Sequence, residues 1–126
     1  FELADRLGSF IVNAPPGVYL FGGEPTVTLP EQPGRGGRNQ SLALALSAHI
    51  VGRDDISVLV AGTDGTDGPT SAAGGLIDGT TWSETKASDA LRRADAGTYL
   101  EQCNGLFTTG PTNTNVMDLV IVIIDQ

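Results

Sequence analysis

The segment 56–61, with the sequence ISVLVA, constrains the fold of this chain more than any other. Apart from Ser57 it is a continuous apolar run, and a glycine-rich segment follows it directly. Such a run is typical of a strand that is buried on both faces of a parallel sheet. Open α/β sheets place their ligands at the loops that leave the carboxyl ends of these strands. We therefore expect residues 62–68, which carry two carboxylates and two hydroxyls, to form a ligand loop.

Length and charge limit the function classes. The 126 residues are enough for a single domain with its own core. A net charge of −8 disfavours nucleic acid and anionic membranes as partners. The lone Cys103 excludes an internal disulfide and predicts a reducing, cytoplasmic location. The chain starts with Phe1 inside an apparent helix, so we expect residues 1–126 to be one domain cut from a longer protein.

The hydrophobic pattern predicts alternating helices and strands. Helices are expected at 2–12, from 39 or 40 to about 52, and at 81–87, 88–96 and 98–102; strands are expected at 18–21, 26–29, 56–61, 76–78, 106–108 and 117–124. The first two strands form a hairpin, and the helix before strand 56–61 looks like the second half of a βαβ crossover. The sequence therefore predicts an α/β fold with a mixed, mostly parallel sheet, helices on both faces and one β-hairpin.

The segment 34–40 (GRGGRNQ) leads into the best predicted helix. Backbone N–H groups at a helix N-terminus bind anions, and arginine adds bidentate donors for phosphate or carboxylate. This predicts a binding role for Gly36, Gly37, Arg38 and Asn39. The alternative is a solvent-exposed loop in which Asn39 only caps the helix.

The segment 62–68 offers Asp64 and Asp67 as ligands for Mg²⁺, which proteins bind through one or two carboxylates. They could instead orient a substrate hydroxyl, and Thr63 and Thr66 add hydroxyls of their own. The alternative is that both aspartates cap turns, because Asp-Gly is a common turn dipeptide.

A third polar loop spans 109–115 and precedes the last strand. Thr112, Asn113 and Asn115 could contact phosphate oxygens. Equally, their side chains could bond to their own backbone in local turns. Alone, this loop is weak support for a binding site.

Several familiar sites are missing from the sequence. Lys86, the single lysine, does not follow a glycine loop, so there is no P-loop. Residues 34–39 fail the dinucleotide fingerprint because Asn39 stands where the third glycine belongs. The cysteine and histidine content supports neither a zinc site nor a hydrolytic triad.

Taken together, the glycine-rich loops resemble the MOFRL domain, the C-terminal domain of the two-domain glycerate 2-kinases, many of which are named hydroxypyruvate reductases. Four motifs carry the resemblance in order: GGExTV at 22–27, GGRNQ at 36–40, AGTDGTDGPT at 61–70 and TGPTxTNV at 109–116. Two positions depart from the family pattern. Pro25 replaces a usual threonine and Asn113 a usual glycine, and asparagine tolerates the left-handed backbone that glycine would allow.

The resemblance implies transfer of the γ-phosphoryl of ATP to the 2-hydroxyl of D-glycerate, with Mg²⁺. It also implies an active site in a cleft against a larger N-terminal α/β domain, which supplies a lysine that this chain lacks. Arg38 matches the arginine of the family motif, and the loops at 62–68 and 109–115 match segments that face the cleft. Two alternatives stay open: an NAD(P)H-dependent hydroxypyruvate reductase and a non-catalytic binding or assembly domain.

Overall fold

A computed structural model describes residues 2–23 and 34–126 of the chain. Its helices and strands follow in the order α1 (Glu2–Asn13), β1 (Gly17–Gly23), α2 (Arg38–Ser47), β2 (Ile56–Gly62), β3 (Gly74–Asp78), α3 (Glu84–Arg92), α4 (Ala96–Gln102), β4 (Leu106–Phe107) and β5 (Asp118–Ile124). The predicted hairpin partner of β1, at 26–29, lies outside the described residues, as do Glu24 and Pro25. In the described part of the chain, no helix is long and apolar enough to cross a bilayer.

The strands form one sheet in the order β1-β5-β2-β3-β4, and every pair of neighbours is antiparallel. The prediction of a mostly parallel sheet is therefore wrong. Strands β1 and β2 do run in the same direction, because both are antiparallel to β5. Along the chain, α2 lies between these two strands. They are not neighbours, however, since the last strand of the chain lies between them.

The prediction of helices on both faces is also wrong for the described residues. Along β2, Ile56, Val58 and Val60 are buried while Ser57 is exposed and Leu59 is half-buried. This alternation is typical of an antiparallel sheet that is covered on one face. On the other face, Val18 and Leu20 are each 67% exposed, although they belong to an apolar strand. The apolar run at 56–61 therefore forms a strand that is buried on one face of the sheet and not on both.

Helix α2 is the centre of the core. Every residue of α2 after Arg38 is buried, including the polar Asn39, Gln40, Ser41 and Ser47. The helix packs against β2 and β3 on one side and against α1, α3 and α4 on the others. A helix surrounded in this way holds a fixed position, and truncation of a buried leucine such as Leu44 should cost about 2–5 kcal/mol. The N-terminus of α2 is thus a rigid platform for a site.

Candidate functional site

The site lies at one end of the sheet, where three polar loops meet. Asp118, the first residue of β5, pairs in register with Gly23 at the end of β1 and with Gly62 at the end of β2. The loop 62–68 leaves β2 at this point, and the loop 109–117 enters β5 there. The N-terminus of α2 approaches the same end through Arg38. The structure thus brings together the three loops that the sequence singled out.

Arg38 is held by a buried carboxylate. Its Nε donates to Oδ2 of Asp118 at 2.7 Å, and its Nη2 donates to Oδ1 at 3.4 Å. The Asp118 side chain is only 6% exposed, whereas that of Arg38 is 38% exposed. A carboxylate that accepts two guanidinium hydrogen bonds fixes the plane of the arginine. Arg38 therefore presents a positioned positive charge at the protein surface.

Asp67 caps helix α2 from the neighbouring loop. Its Oδ1 accepts the backbone N–H of Asn39 at 2.9 Å, and its Oδ2 accepts that of Gln40 at 2.8 Å. These donors are among those that a helix N-terminus leaves without an intrahelical partner. The N-terminal residue before the helix, Gly37, has no side chain to do this. The anion bound at this helix end is therefore a carboxylate of the protein itself.

The capping contact requires glycine at position 37. A Cβ atom there would lie 2.3 Å from Oδ1 of Asp67, so any side chain would push the two loops apart. Burial raises the pKa of Asp67, and the N–H groups of Asn39 and Gln40 act in the opposite direction. The glycine of the motif thus serves the close approach of two loops.

The loops 62–68 and 109–117 are bonded to each other. The hydroxyl of Thr63 donates to the carbonyl of Met117 at 2.7 Å and accepts the N–H of Val116 at 2.8 Å. Thr112 donates its hydroxyl to the carbonyl of Thr63. Gly65 lies so close to the carbonyl of Gly110 that a Cβ would be 2.1 Å from the oxygen. The two loops therefore behave as one layer.

Asp64 is half-buried beside this layer. Its Oδ1 accepts the backbone N–H of Thr66 at 3.0 Å, and this bond is the largest cause that lowers the pKa of Asp64. The charge of Arg38 lowers it further. Asp64 is therefore an ionised carboxylate near the positioned arginine. A carboxylate oxygen is a ligand that Mg²⁺ accepts.

The two predicted Mg²⁺ ligands differ in what their oxygens already do. Both oxygens of Asp67 accept backbone N–H groups of α2, whereas Oδ1 of Asp64 accepts the backbone N–H of Thr66 in its own loop. Among the described residues, no three acidic, histidine or cysteine side chains lie close enough together to hold a metal ion. A Mg²⁺ site built on the described residues would therefore need further ligands, such as water or substrate oxygens.

The remaining predicted residues lie on the rim of this end of the sheet. Thr66, Thr112, Asn113 and Asn115 are exposed, and Gly36 is half-buried. Asn113 adopts the left-handed backbone with φ of 61°, a conformation that asparagine tolerates better than most residues. The Oδ1 of Asn115 accepts the N–H of Met117 at 3.0 Å, so this side chain also shapes its own loop.

Sequence reasoning missed Asp118 and the pocket behind it. The available signal was a charged residue at the start of an otherwise apolar strand. Asp118 was counted as part of the predicted strand 117–124 and was not considered as a site residue. The pocket has a volume of about 290 Å³ and lies between α1, α2 and the sheet. Asn39 and Asp118 are its polar lining residues, and Leu7, Phe21 and Val120 are among its apolar ones.

Comparison with known proteins gives consistent results. The sequence profile of the MOFRL family matches residues 17–118. The chain is 42% identical to the glycerate 2-kinase of Pyrococcus horikoshii over 98% of its own length and 28% of that protein. It is 45% identical to the D-glycerate 2-kinase of Thermotoga maritima over 86% of its length and 27% of that protein.

A solved structure supports the same fold. The crystal structure of glycerate kinase from Thermotoga maritima superimposes with a TM-score of 0.90 and 38% sequence identity. The match covers 98% of this chain and 33% of that structure. The chain therefore spans between a quarter and a third of the length of these relatives.

Proposed function

Since the chain belongs to the MOFRL family, we propose that it is the part of a glycerate 2-kinase that supplies substrate and phosphate contacts to the active site. The reaction would be ATP-dependent phosphorylation of the 2-hydroxyl of D-glycerate. The observation that carries the proposal is the Arg38–Asp118 pair at the meeting point of three family motifs. Phosphoryl transfer depends on positioning and on charge stabilisation more than on covalent chemistry, and a fixed arginine provides both.

Arg38 would bind a transferring phosphate or the glycerate carboxylate, because its guanidinium is partly exposed and fixed in orientation. The hydroxyl of Thr66 and the amides of Asn113 and Asn115 would add neutral hydrogen bonds from the rim. Thr63 and Thr112 already donate their hydroxyl protons within the protein, so their contact with phosphate stays a prediction. Because Gly36 and Gly37 have no side chains, a substrate or phosphate group would be able to approach their backbone closely. The N–H groups of Asn39 and Gln40 already bond to Asp67, so we do not assign phosphate to that helix end.

Mg²⁺ would neutralise phosphate charge during the transfer. We assign its protein ligand to Asp64, which is ionised and close to Arg38. Asp67 would then act as a positioning residue that holds the N-terminus of α2, and the part of our prediction that makes Asp67 a metal ligand stays a prediction. The larger part of the relatives lies outside this chain, so the lysine-bearing N-terminal domain would complete the cleft.

The experiment is a kinase assay of the full-length protein with ATP and D-glycerate, on the wild type and on Arg38→Ala. We expect Arg38→Ala to lower kcat/KM by about 10²–10³-fold, the usual effect of removing one charge-stabilising donor. Arg53→Ala is the matched control, because Arg53 has a similar exposure and also pairs with an aspartate, at the other end of the sheet. Equal activity of wild type and Arg38→Ala would refute the assignment.

The same protein preparation distinguishes the alternatives. Oxidation of NADH with hydroxypyruvate, without any ATP-dependent product, would favour a reductase. Absence of both activities in the full-length protein would favour a binding or assembly role. The expected result is ADP formation that depends on D-glycerate.

A further inference from the structure

The pocket behind Asp118 contains a buried amide without a partner. Asn39 is 1% exposed, and neither its Nδ2 nor its Oδ1 forms a hydrogen bond within the described part of the chain. A buried amide that lacks both bonds costs free energy, so native proteins retain such groups where another molecule satisfies them. Asn39 is one of the residues that line the pocket.

Among the described residues, the side chains that line the pocket are apolar apart from Asn39 and Asp118. Phe21, Leu42 and Val120 are among the side chains that line it. Its volume of about 290 Å³ lies just below the range for small-molecule sites, which is roughly 300–1,000 Å³. Such a space excludes a hydrated triphosphate, and its apolar walls suit neither glycerate nor another small hydroxy acid. It suits a flat heteroaromatic ring.

We propose that this pocket binds the adenine ring of the phosphoryl donor, an inference that rests on the proposed kinase function. A carboxamide pairs with adenine through two hydrogen bonds, accepting from the exocyclic amine and donating to a ring nitrogen. Asn39 offers one acceptor and one donor, both unused among the described residues. Asn39 follows Arg38 directly in α2, so the base and the phosphate contacts would lie on consecutive residues of one helix end.

The glycine at the end of β1 fits this assignment. Gly23 lines the pocket, and a Cβ built on it would meet no atom within 4 Å of the described structure. Most glycines of this site are forced by a close backbone approach, as at Gly37 and Gly65. Gly23 instead borders open space, which a side chain would fill and a ring could occupy.

Two variants of the full-length enzyme test the proposal. Asn39→Leu keeps the number and branching of the side-chain heavy atoms and removes both amide groups, so it leaves no buried polar atom without a partner at this position. Gly23→Leu fills the pocket from the opposite wall. In both, we expect KM for ATP to rise tenfold or more, while KM for D-glycerate stays within threefold of the wild type. Asn13→Leu, the same exchange at an exposed position of α1, is the control and should change neither value.

The outcomes separate the two proposals. A folded variant with unchanged KM for ATP, or with a raised KM for glycerate alone, overturns the adenine pocket and leaves the kinase function standing. If Asn39→Leu does not fold, Gly23→Leu decides by the same criterion. If the wild type phosphorylates no glycerate, the kinase proposal fails, and adenosine binding to wild type and Gly23→Leu, measured by calorimetry, still decides for or against the pocket.

Discussion

Two arginine–aspartate pairs of this chain have similar geometry in different surroundings. Nε of Arg38 lies 2.7 Å from Asp118, and Nε of Arg53 lies 2.9 Å from Asp55. The exposed fractions of the two arginine side chains are nearly equal, at 38% and 37%, but Asp118 is 6% exposed and Asp55 is 30% exposed. The first pair joins residues 80 positions apart, and the second joins residues two apart.

The difference between the two pairs lies in how the fold holds the guanidinium group of each arginine. Arg53 and Asp55 meet because they are close in the chain, and exposed pairs of this kind contribute little to stability. Arg38 meets Asp118 only after α2 has packed on the sheet and β5 has entered it. A buried carboxylate then holds the guanidinium in one orientation, so the fold itself positions the charge.

Of the changes that test this comparison, Asp118→Ala is expected to have the largest effect on activity. Without this carboxylate, Arg38 keeps its charge but loses the two hydrogen bonds to Asp118 that fix the plane of its guanidinium. In the proposed kinase reaction, we expect kcat/KM of the full-length protein to fall by about 10²-fold, the usual effect of misplacing a reacting or charge-stabilising group. Asp55→Ala removes the corresponding partner of Arg53 and should leave kcat/KM within twofold. Equal losses in the two variants would show that Asp118 has no special role in positioning Arg38.

The next largest effect is expected from Asp67→Ala, which removes the cap of α2. Two buried N–H groups lose their acceptor, so we expect the free energy of unfolding to fall by about 2–4 kcal/mol. Denaturant titration would measure this. Asp64→Ala removes one hydrogen bond in a more exposed position and serves as the control, with a smaller expected change. A loss for Asp67→Ala no larger than for Asp64→Ala would contradict the capping role.

A smaller effect is expected on the pH dependence of stability, and it also tests the environment of Asp67. Burial raises the pKa of Asp67 in the folded state above the ordinary carboxyl value of about 3.9. Between these two pKa values, the folded protein binds more protons than the unfolded chain. The stability of the wild type relative to Asp67→Asn should therefore be greatest below the ordinary pKa, decline as pH rises through this interval, and stay constant above it. Unfolding curves at a series of pH values would test this; a relative stability that rises with pH would refute it.

The sequence predicted the local features well because they depend on neighbouring residues. The apolar run at 56–61 and the glycines after it were sufficient for β2 and its loop, and the family motifs identified the loops that meet. Strand direction was predicted wrongly because it depends on where β5 enters the sheet. The pairing of Asp118 with both Gly23 and Gly62 joins segments that are far apart in the chain, and no local pattern encodes it.

The candidate site was predicted in part for the same reason. Arg38 and the polar loops are visible as motifs. Asp118, which holds Arg38, resembles an ordinary residue at a strand end. The role of Asp67 was also hidden, because a carboxylate in a Gly-Asp loop suits a metal ligand and a helix cap equally well until the position of α2 is known.

The cap provided by Asp67 also has a consequence for any ligand that binds at this end of the sheet. Because the amides of Asn39 and Gln40 already have acceptors, this helix end needs no ligand to become ordered. The amide protons of both residues should exchange slowly with solvent before any substrate is added, and nucleotide should change their exchange rates little. Substrate would then meet a surface that is already assembled, and little ordering entropy would be lost on binding.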